Sequence, residues 1–478
     1  MKTKSGLDLT QGNVLKNLIR LSFPIMLSNF IQTFYNLTDT FWLGKLGENA
    51  KSSVAIAGMA FPIIFFISSF GMGFVIAGTA LIARYKGAGK SSQMKEIVGQ
   101  FFNIILVFII IFLVISSLFI EPILKILNAP PDLIPDAKAY LSTILIGMCF
   151  MIIFFAYQSI SHGLGDTVSP MKIQFLSVSI NVVLDPILIF GLLIFPKLGV
   201  VGAAYATVFA RFIGALYAFW YLFRKKKFIL PSPKQILPDF TLLKKILKIS
   251  IPASVSHSIT SFGFLILQGF VNTFGTVVIS VYAIGNRLIG FYMMPAMGIS
   301  HALSAIVGQN LGAKNTERAI KSLKTAFVLI MGIMFIGALI LFNFGATLTK
   351  IFINDPEVIE AGVRMFRITS IAAFAFGIIF VFMGVFNGAG HTLPPMIINM
   401  SRLWVLRIPI TFILSDRLLQ IDFFKNSFLA GFLKEAAKII EPYNYDALWW
   451  AMLISNITCA IVSVILLVKG SWKNKKID

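Results

Sequence analysis

The chain has 478 residues, of which 57% are hydrophobic and only 13% charged, with a mean hydropathy of +0.86. Soluble domains carry about 25% charged residues, so a soluble globular protein is excluded. The formal charge of +21 would suit a nucleic acid only on a basic face of a soluble domain; the chain has no room for one, so no nucleic-acid partner is expected and membrane orientation accounts for the charge.

Apolar segments fall near 15–43, 53–83, 97–120, 134–160, 170–195, 199–223, 243–272, 277–306, 322–348, 358–386, 394–415 and 446–468. They predict an all-α polytopic membrane protein with twelve transmembrane helices, and their continuous character excludes an alternating outer-membrane barrel. The first apolar stretch is too long, and too polar at Asn36 and Asp39, for a cleaved signal peptide. Cys149 and Cys459 both lie in apolar runs, which leaves no disulfide framework or zinc knuckle. The side on which Lys and Arg concentrate places both termini in the cytoplasm of a multi-pass cell-membrane protein. Between helices six and seven, Arg224-Lys225-Lys226-Lys227 opens a stretch containing Pro231 and Pro233. The run reads as an anchor for acidic lipid and the stretch as a hinge.

The chain repeats itself. Gly163-Leu164-Gly165-Asp166-Thr167 through Pro170-Met171 matches Gly388-Ala389-Gly390-His391-Thr392 through Pro395-Met396 at an offset of 225, which also relates Lys86-Gly87-Ala88-Gly89 to Leu311-Gly312-Ala313-Lys314. Leu21-Ser22-Phe23-Pro24 answers Ile249-Ser250-Ile251-Pro252 at an offset of 228. Each unit has six helices, an even number, so the two lobes are related by a parallel pseudo-two-fold axis along the membrane normal, a plan common to secondary transporters. Residues 1–223 read as the N-lobe with the cation site, 224–242 as a basic cytoplasmic linker, 243–468 as the C-lobe and 469–478 as a basic cytoplasmic tail. The connection from Asp416 to Tyr445 is the one marked asymmetry. Its apolar residues recur at helical spacing near 419–445, which predicts an amphipathic helix on the outer surface, followed by Trp449 and Trp450 at the interface belt.

Two acids lie inside spans, Asp39 in helix one and Asp185 in helix five, and a carboxylate in hydrocarbon is a functional signal by default. Tyr35 and Asn36 lie one turn before Asp39, and Asn181 lies one turn before Asp185. At ~1.5 Å per residue both acids sit in the outer half, roughly 30 and 22 Å from the inner helix ends, and Thr207 of helix six falls about 12 Å below the outer end. Two carboxylates close together away from water cannot easily both stay charged, so the cluster suits a proton; its oxygens equally suit Na⁺ bound at Asp39, Asn181, Asp185 and Thr207. The plainer alternative is an ion pair between an aspartate and Arg211, four residues after Thr207. Arg287, Arg402 and Arg407 are further cations within spans, read as snorkelling or bonded to backbone carbonyls, with the lining of a watery cavity as the sharper reading. His257, flanked by Ser256 and Ser258, reads as a hydrogen-bonded interface residue, with a second protonation site as the sharper reading. Pro24 and Pro186 are points where a helix can bend. No Walker loop occurs, so ATP is not the energy source, and no metal-ligand cluster or nucleophile triad suggests an enzyme.

Taken together, Pro24, Tyr35-Asn36-Leu37-Thr38-Asp39, Lys86-Gly87-Ala88-Gly89, Gly163 to Pro170, Asn181 to Pro186 and Gly202 to Thr207 resemble the multidrug and toxic compound extrusion family, and within it the DinF-type prokaryotic branch. The resemblance covers nearly the whole chain. It implies a secondary active antiporter that exports cationic, amphipathic organic compounds in exchange for H⁺ or Na⁺, working as a monomer in lipid with no other cofactor. It assigns coupling-ion binding to Asp39, Asn181, Asp185 and Thr207, support to Tyr35 and Asn36, and helix bending to Pro24. Arg211, where that branch often has Gln, and the long connection before helix twelve depart from the pattern. A flippase for a lipid-linked precursor is the alternative, and it requires Arg211, Arg287 and Arg402 to meet in one central cavity.

Overall fold

A computed structural model of the protein describes residues 2–3, 6–126, 130–415 and 444–475. Twelve helices among them are long and apolar enough to cross a membrane. In chain order they are α1 (Val14–Leu43), α2 (Ala50–Gly87), α3 (Ser91–Ile126), α4 (Ile134–Gly163), α5 (Val168–Phe190), α6 (Gly199–Lys225), α7 (Phe240–Asn272), α8 (Thr276–Gly312), α9 (Thr316–Phe352), α10 (Pro356–Gly388), α11 (Leu393–Leu414) and α12 (Ala447–Lys469). Several run past the apolar segments. α2, for example, ends on a turn carrying Arg84 and Lys86, which complements the negative end of its dipole.

Polar side chains set the helix starts. The side-chain oxygen of Asn13 accepts from Lys16 N, that of Asp239 from Thr241 N and Leu242 N, and that of Asp355 from Val358 N. α5 stops at Gly191, whose φ of 72° is a left-handed cap that suits glycine. The outer faces are apolar and exposed, as at Phe23, Leu106, Val328 and Val405, which is the surface lipid covers.

The twelve helices form two six-helix lobes. α1 and α2 of the first pack across on α7 and α8 of the second. The lobes meet closely at the end that carries the termini. There a Cβ added to Gly87 would stand 1.9 Å from the Gln309 carbonyl oxygen, and one added to Gly312 would stand 2.1 Å from that of Arg84. The repeat thus explains its own glycines: each lets one helix end cross the other's backbone. The chain start ties this end further. Leu9 N donates to Gln309 Oε1 at 3.0 Å, Lys86 Nζ donates to Leu7 O and Leu164 O, and the Arg318 guanidinium donates to Leu9 O, Gln11 O and Gly12 O.

Three expectations need revision. Lys226 is not a lipid anchor: it is buried and pairs with Asp166 at 2.9 Å, donates to Ser161 Oγ, and lies over the Tyr157 and Tyr221 rings. A buried ammonium needs such a partner, and Asp166 of the Gly163–Pro170 motif supplies it. Trp449 packs inward on Tyr282 rather than lining an interface belt, while Trp450 faces outward. Within α11, Ser401–Arg407 is a π-helical turn, an irregularity the apolar pattern does not signal. The amphipathic helix expected over 419–445 lies, except for its last two residues, outside the described residues.

Candidate cation site in the N-terminal lobe

Helical spacing puts Tyr35 and Asp39 on one face of α1 and Asn181 and Asp185 on one face of α5. α6 adds Thr207 through a tight crossing: a Cβ on Gly202 would stand 2.5 Å from Leu188 O, so only glycine lets α6 lie so close to α5. The cluster is near the helix ends opposite the termini. Asp185, Asn181 and Thr207 are buried, with Asp185 at 0% exposure, and Asp39 and Tyr35 are half-buried.

The hydrogen bonds form one network. Asn181 Nδ2 donates to Asp185 Oδ1 at 3.0 Å and to Thr207 Oγ1 at 3.4 Å, and the Tyr35 and Thr207 hydroxyls are 3.0 Å apart. Asp39 lies close to Tyr35 and Asp185, near enough for the two carboxyls to interact electrostatically. Two neighbouring carboxylates have no donor to offer each other unless a proton is shared or a cation bridges. Three buried oxygens, Asp39 Oδ1, Asn181 Oδ1 and Asp185 Oδ2, receive no hydrogen bond at all. A buried acceptor left without a donor costs free energy, so this concentration of three is the mark of a site for a positive species.

The structure brings together Asp39, Asp185, Asn181, Thr207 and Tyr35. It does not bring in Asn36, which is exposed and shares no hydrogen bond with the cluster. Pro24 is buried inside a continuous α1, about four turns from Asp39 toward the termini. Arg211 makes no ion pair with either aspartate; its Nη1 points to Met148 Sδ at 3.4 Å. It still faces the cluster electrostatically, as does buried Tyr140 of α4. Tyr140 and Met148 escape sequence reasoning because only the packing of α4 against α6 brings them here.

His257 lines a cavity between the lobes together with His162, His301, Thr79, Ser300 and Asn387. No arginine lines it. Arg287 is exposed, and Arg402 and Arg407 are buried within the C-terminal lobe. The convergence of arginines that a flippase cavity requires is thus not found among the described residues.

The MatE family model matches residues 24–187 and 252–413, one stretch in each half, each starting at the proline of the repeat. The chain belongs to the MatE (multidrug and toxic compound extrusion, MATE) family. Among MATE relatives, the "Probable multidrug resistance protein YpnP" of Bacillus subtilis is 29% identical over 409 residues, covering 85% of this chain and 90% of that protein. The "Probable multidrug resistance protein NorM" of Thermotoga maritima is 29% identical over 433 residues, covering 89% of each. A solved structure described as the outward-facing conformation of a multidrug resistance MATE family transporter of the MOP superfamily superposes with a TM-score of 0.84 at 22% identity, over 100% of both chains. That likeness shows the fold, the all-α MATE fold.

Proposed function

We propose that this MATE protein is an ion-coupled antiporter that exports amphipathic organic cations, with Asp39 and Asp185 as the coupling site. The observation that carries the reading is the cluster of three buried oxygens that no donor satisfies, one on each of these two neighbouring carboxyls and one on Asn181. Such a set binds H⁺ or a hard monovalent cation such as Na⁺, with Asn181 and Thr207 as neutral ligands and Tyr35 tying α1 to α6. The multidrug names of the relatives support the cargo class. In the proposed cycle an ion entering from the side opposite the termini neutralises the pair, α1 bends at Pro24, and the cavity releases its cargo. Charged and neutral forms of one site favour different packings, so the ion gradient biases a two-state equilibrium.

A path for that bias runs along α1. A Cβ on Gly298 of α8 would stand 2.5 Å from Met26 Cγ and 3.2 Å from Ser22 O, so α1 touches the other lobe on either side of Pro24. A change of direction there moves α8, whose far end forms the Gly312 crossing.

The test is efflux of a fluorescent organic cation from proteoliposomes under a pH gradient and, separately, a Na⁺ gradient. Asp39→Asn and Asp185→Asn should each abolish gradient-driven transport while the protein stays folded, and the gradient that drives the parent identifies the ion. Normal transport by both variants overturns the proposal.

A further inference from the structure

The C-terminal lobe buries two cations that the proposed cycle does not use. Arg402 and Arg407 are 7% and 5% exposed, deep in α11, and among the described residues no acid pairs with either. In a regular α-helix, residues five apart point in different directions. The π turn over Ser401–Arg407 bonds each residue to the one five further on, and that wider turn brings the two guanidiniums onto one side. They converge on a single neutral acceptor: Arg402 Nη1 and Arg407 Nη2 both donate to Asn456 Oδ1, at 3.4 and 2.9 Å. Arg407 Nε donates to Ser455 Oγ at 3.3 Å, and the Arg402 guanidinium sits 5.0 Å from the centre of the Phe376 ring.

Two positive charges in a buried setting cost far more than one amide oxygen, one hydroxyl and one aromatic face return. The unsatisfied groups here have one sign of chemistry. Arg402 Nε and Asn456 Nδ2 are both buried N–H donors without an acceptor, and Asn456 is 0% exposed. This is the inverse of the N-terminal site, where the unsatisfied atoms are all oxygens. What completes donors of this kind beside two guanidiniums is an anion. The enclosure selects its size: Phe376 covers one face of Arg402, and Phe376, Ser455, Asn456 and both arginines are 0–8% exposed.

We propose that the C-terminal lobe binds one small monovalent inorganic anion, of the chloride class, between Arg402, Arg407 and Asn456. The inference stands on α11 and α12 alone and does not rest on the function proposed for Asp39 and Asp185.

The test uses the purified full chain in detergent, with chloride replaced stepwise by gluconate, which is too bulky for the site, at constant Na⁺ and ionic strength. Thermal unfolding is followed by tryptophan fluorescence. A ligand that binds only the folded state raises its melting temperature with concentration, so the midpoint should climb with chloride and then level off. Asn456→Asp places a carboxylate where the amide oxygen now accepts from both arginines. That variant should melt at or above the chloride-saturated parent and no longer respond to chloride. Arg402→Gln, which removes one charge and the orphaned Nε, should likewise lose the response. A parent that melts at the same temperature in chloride and gluconate overturns the proposal, as does a full chloride response in either variant.

Discussion

The helix crossing at the terminus-bearing end allows a direct test of how this transporter holds that end shut. In Gly87→Ala the new methyl carbon would stand 1.9 Å from Gln309 O, whereas real Cβ atoms essentially never come under 3.0 Å, so the backbones must part by at least about 1 Å. The obstacle is a carbonyl inside α8 rather than the tip of a flexible side chain, so nothing can swing aside. Overpacking of this kind costs about 1–3 kcal/mol. Only the closed arrangement bears that cost, so the closed-to-open ratio should fall by about 5- to 150-fold. Folding itself should not suffer, because alanine is the better helix former by about 1 kcal/mol. Gly312→Ala makes the mirror-image clash with Arg84 O at 2.1 Å and should behave alike. The two meet at one crossing, so the double variant should show less than the sum. The assay is labelling of a cysteine at Thr79, a buried residue of the cavity between the lobes, by a hydrophilic maleimide. Labelling should quicken in Gly87→Ala by the same factor. A folded Gly87→Ala protein that labels at the parental rate refutes the reasoning.

Two further outcomes follow from the same end of the molecule. Asp166→Asn strips the buried Lys226 ammonium of its counter-charge and should destabilise the protein by about 3–5 kcal/mol, with Lys226→Met in the same chain restoring much of the loss. Burial pushes the Asp166 carboxyl up, but the Lys226 charge and the bonds from Ser169 outweigh it and hold the group below the usual carboxylate range. A depressed carboxylate stabilises above its ordinary value and stops doing so as pH falls through its folded value. The gap in melting temperature between parent and Asp166→Asn should therefore be constant above about pH 5 and narrow below about pH 4. Arg318→Ala removes the donors to Leu9 O, Gln11 O and Gly12 O, so limited proteolysis should cut the first dozen residues faster than in the parent; an unchanged cleavage rate would show that the strap holds by other contacts.

Much of this architecture is legible in the sequence. The twelve spans follow from apolar length, and the lobes from motif pairs such as Gly163–Pro170 and Gly388–Pro395. Asp39 and Asp185 stand out because acids are costly in hydrocarbon, and helical spacing then recruits Tyr35 and Asn181. The same rule misleads at Asn36: three residues before Asp39 places a side chain near the acid's face without saying which flank meets α5. Residues whose role depends on another helix stay hidden. Lys226 looks like any member of a basic run until Asp166 is folded against it, and His162, His257 and His301 lie on three helices that only tertiary packing unites. The shared face of Arg402 and Arg407 is hidden for a different reason, since the π turn changes the period by which a helix is read.

The repeat sharpens the contrast between the two buried charge clusters. At the offset of 225, α5 corresponds to α11: Val168 to Leu393, Pro170 to Pro395, Asn181 to Leu406 and Asp185 to Ile410. By the same register Arg402 answers Ser177, whose hydroxyl donates to Ala210 O, and Arg407 answers Val182. The corresponding helices thus carry an acid in the first lobe and two arginines, at other registers, in the second, and neither cluster is neutralised by an ion pair among the described residues. Had the charges served only to hold helices together, pairing an acid with an arginine inside each lobe would have been the less costly arrangement. Their separation leaves each lobe with an unmet charge of its own sign, and that is the arrangement expected of sites completed by mobile ions rather than by side chains.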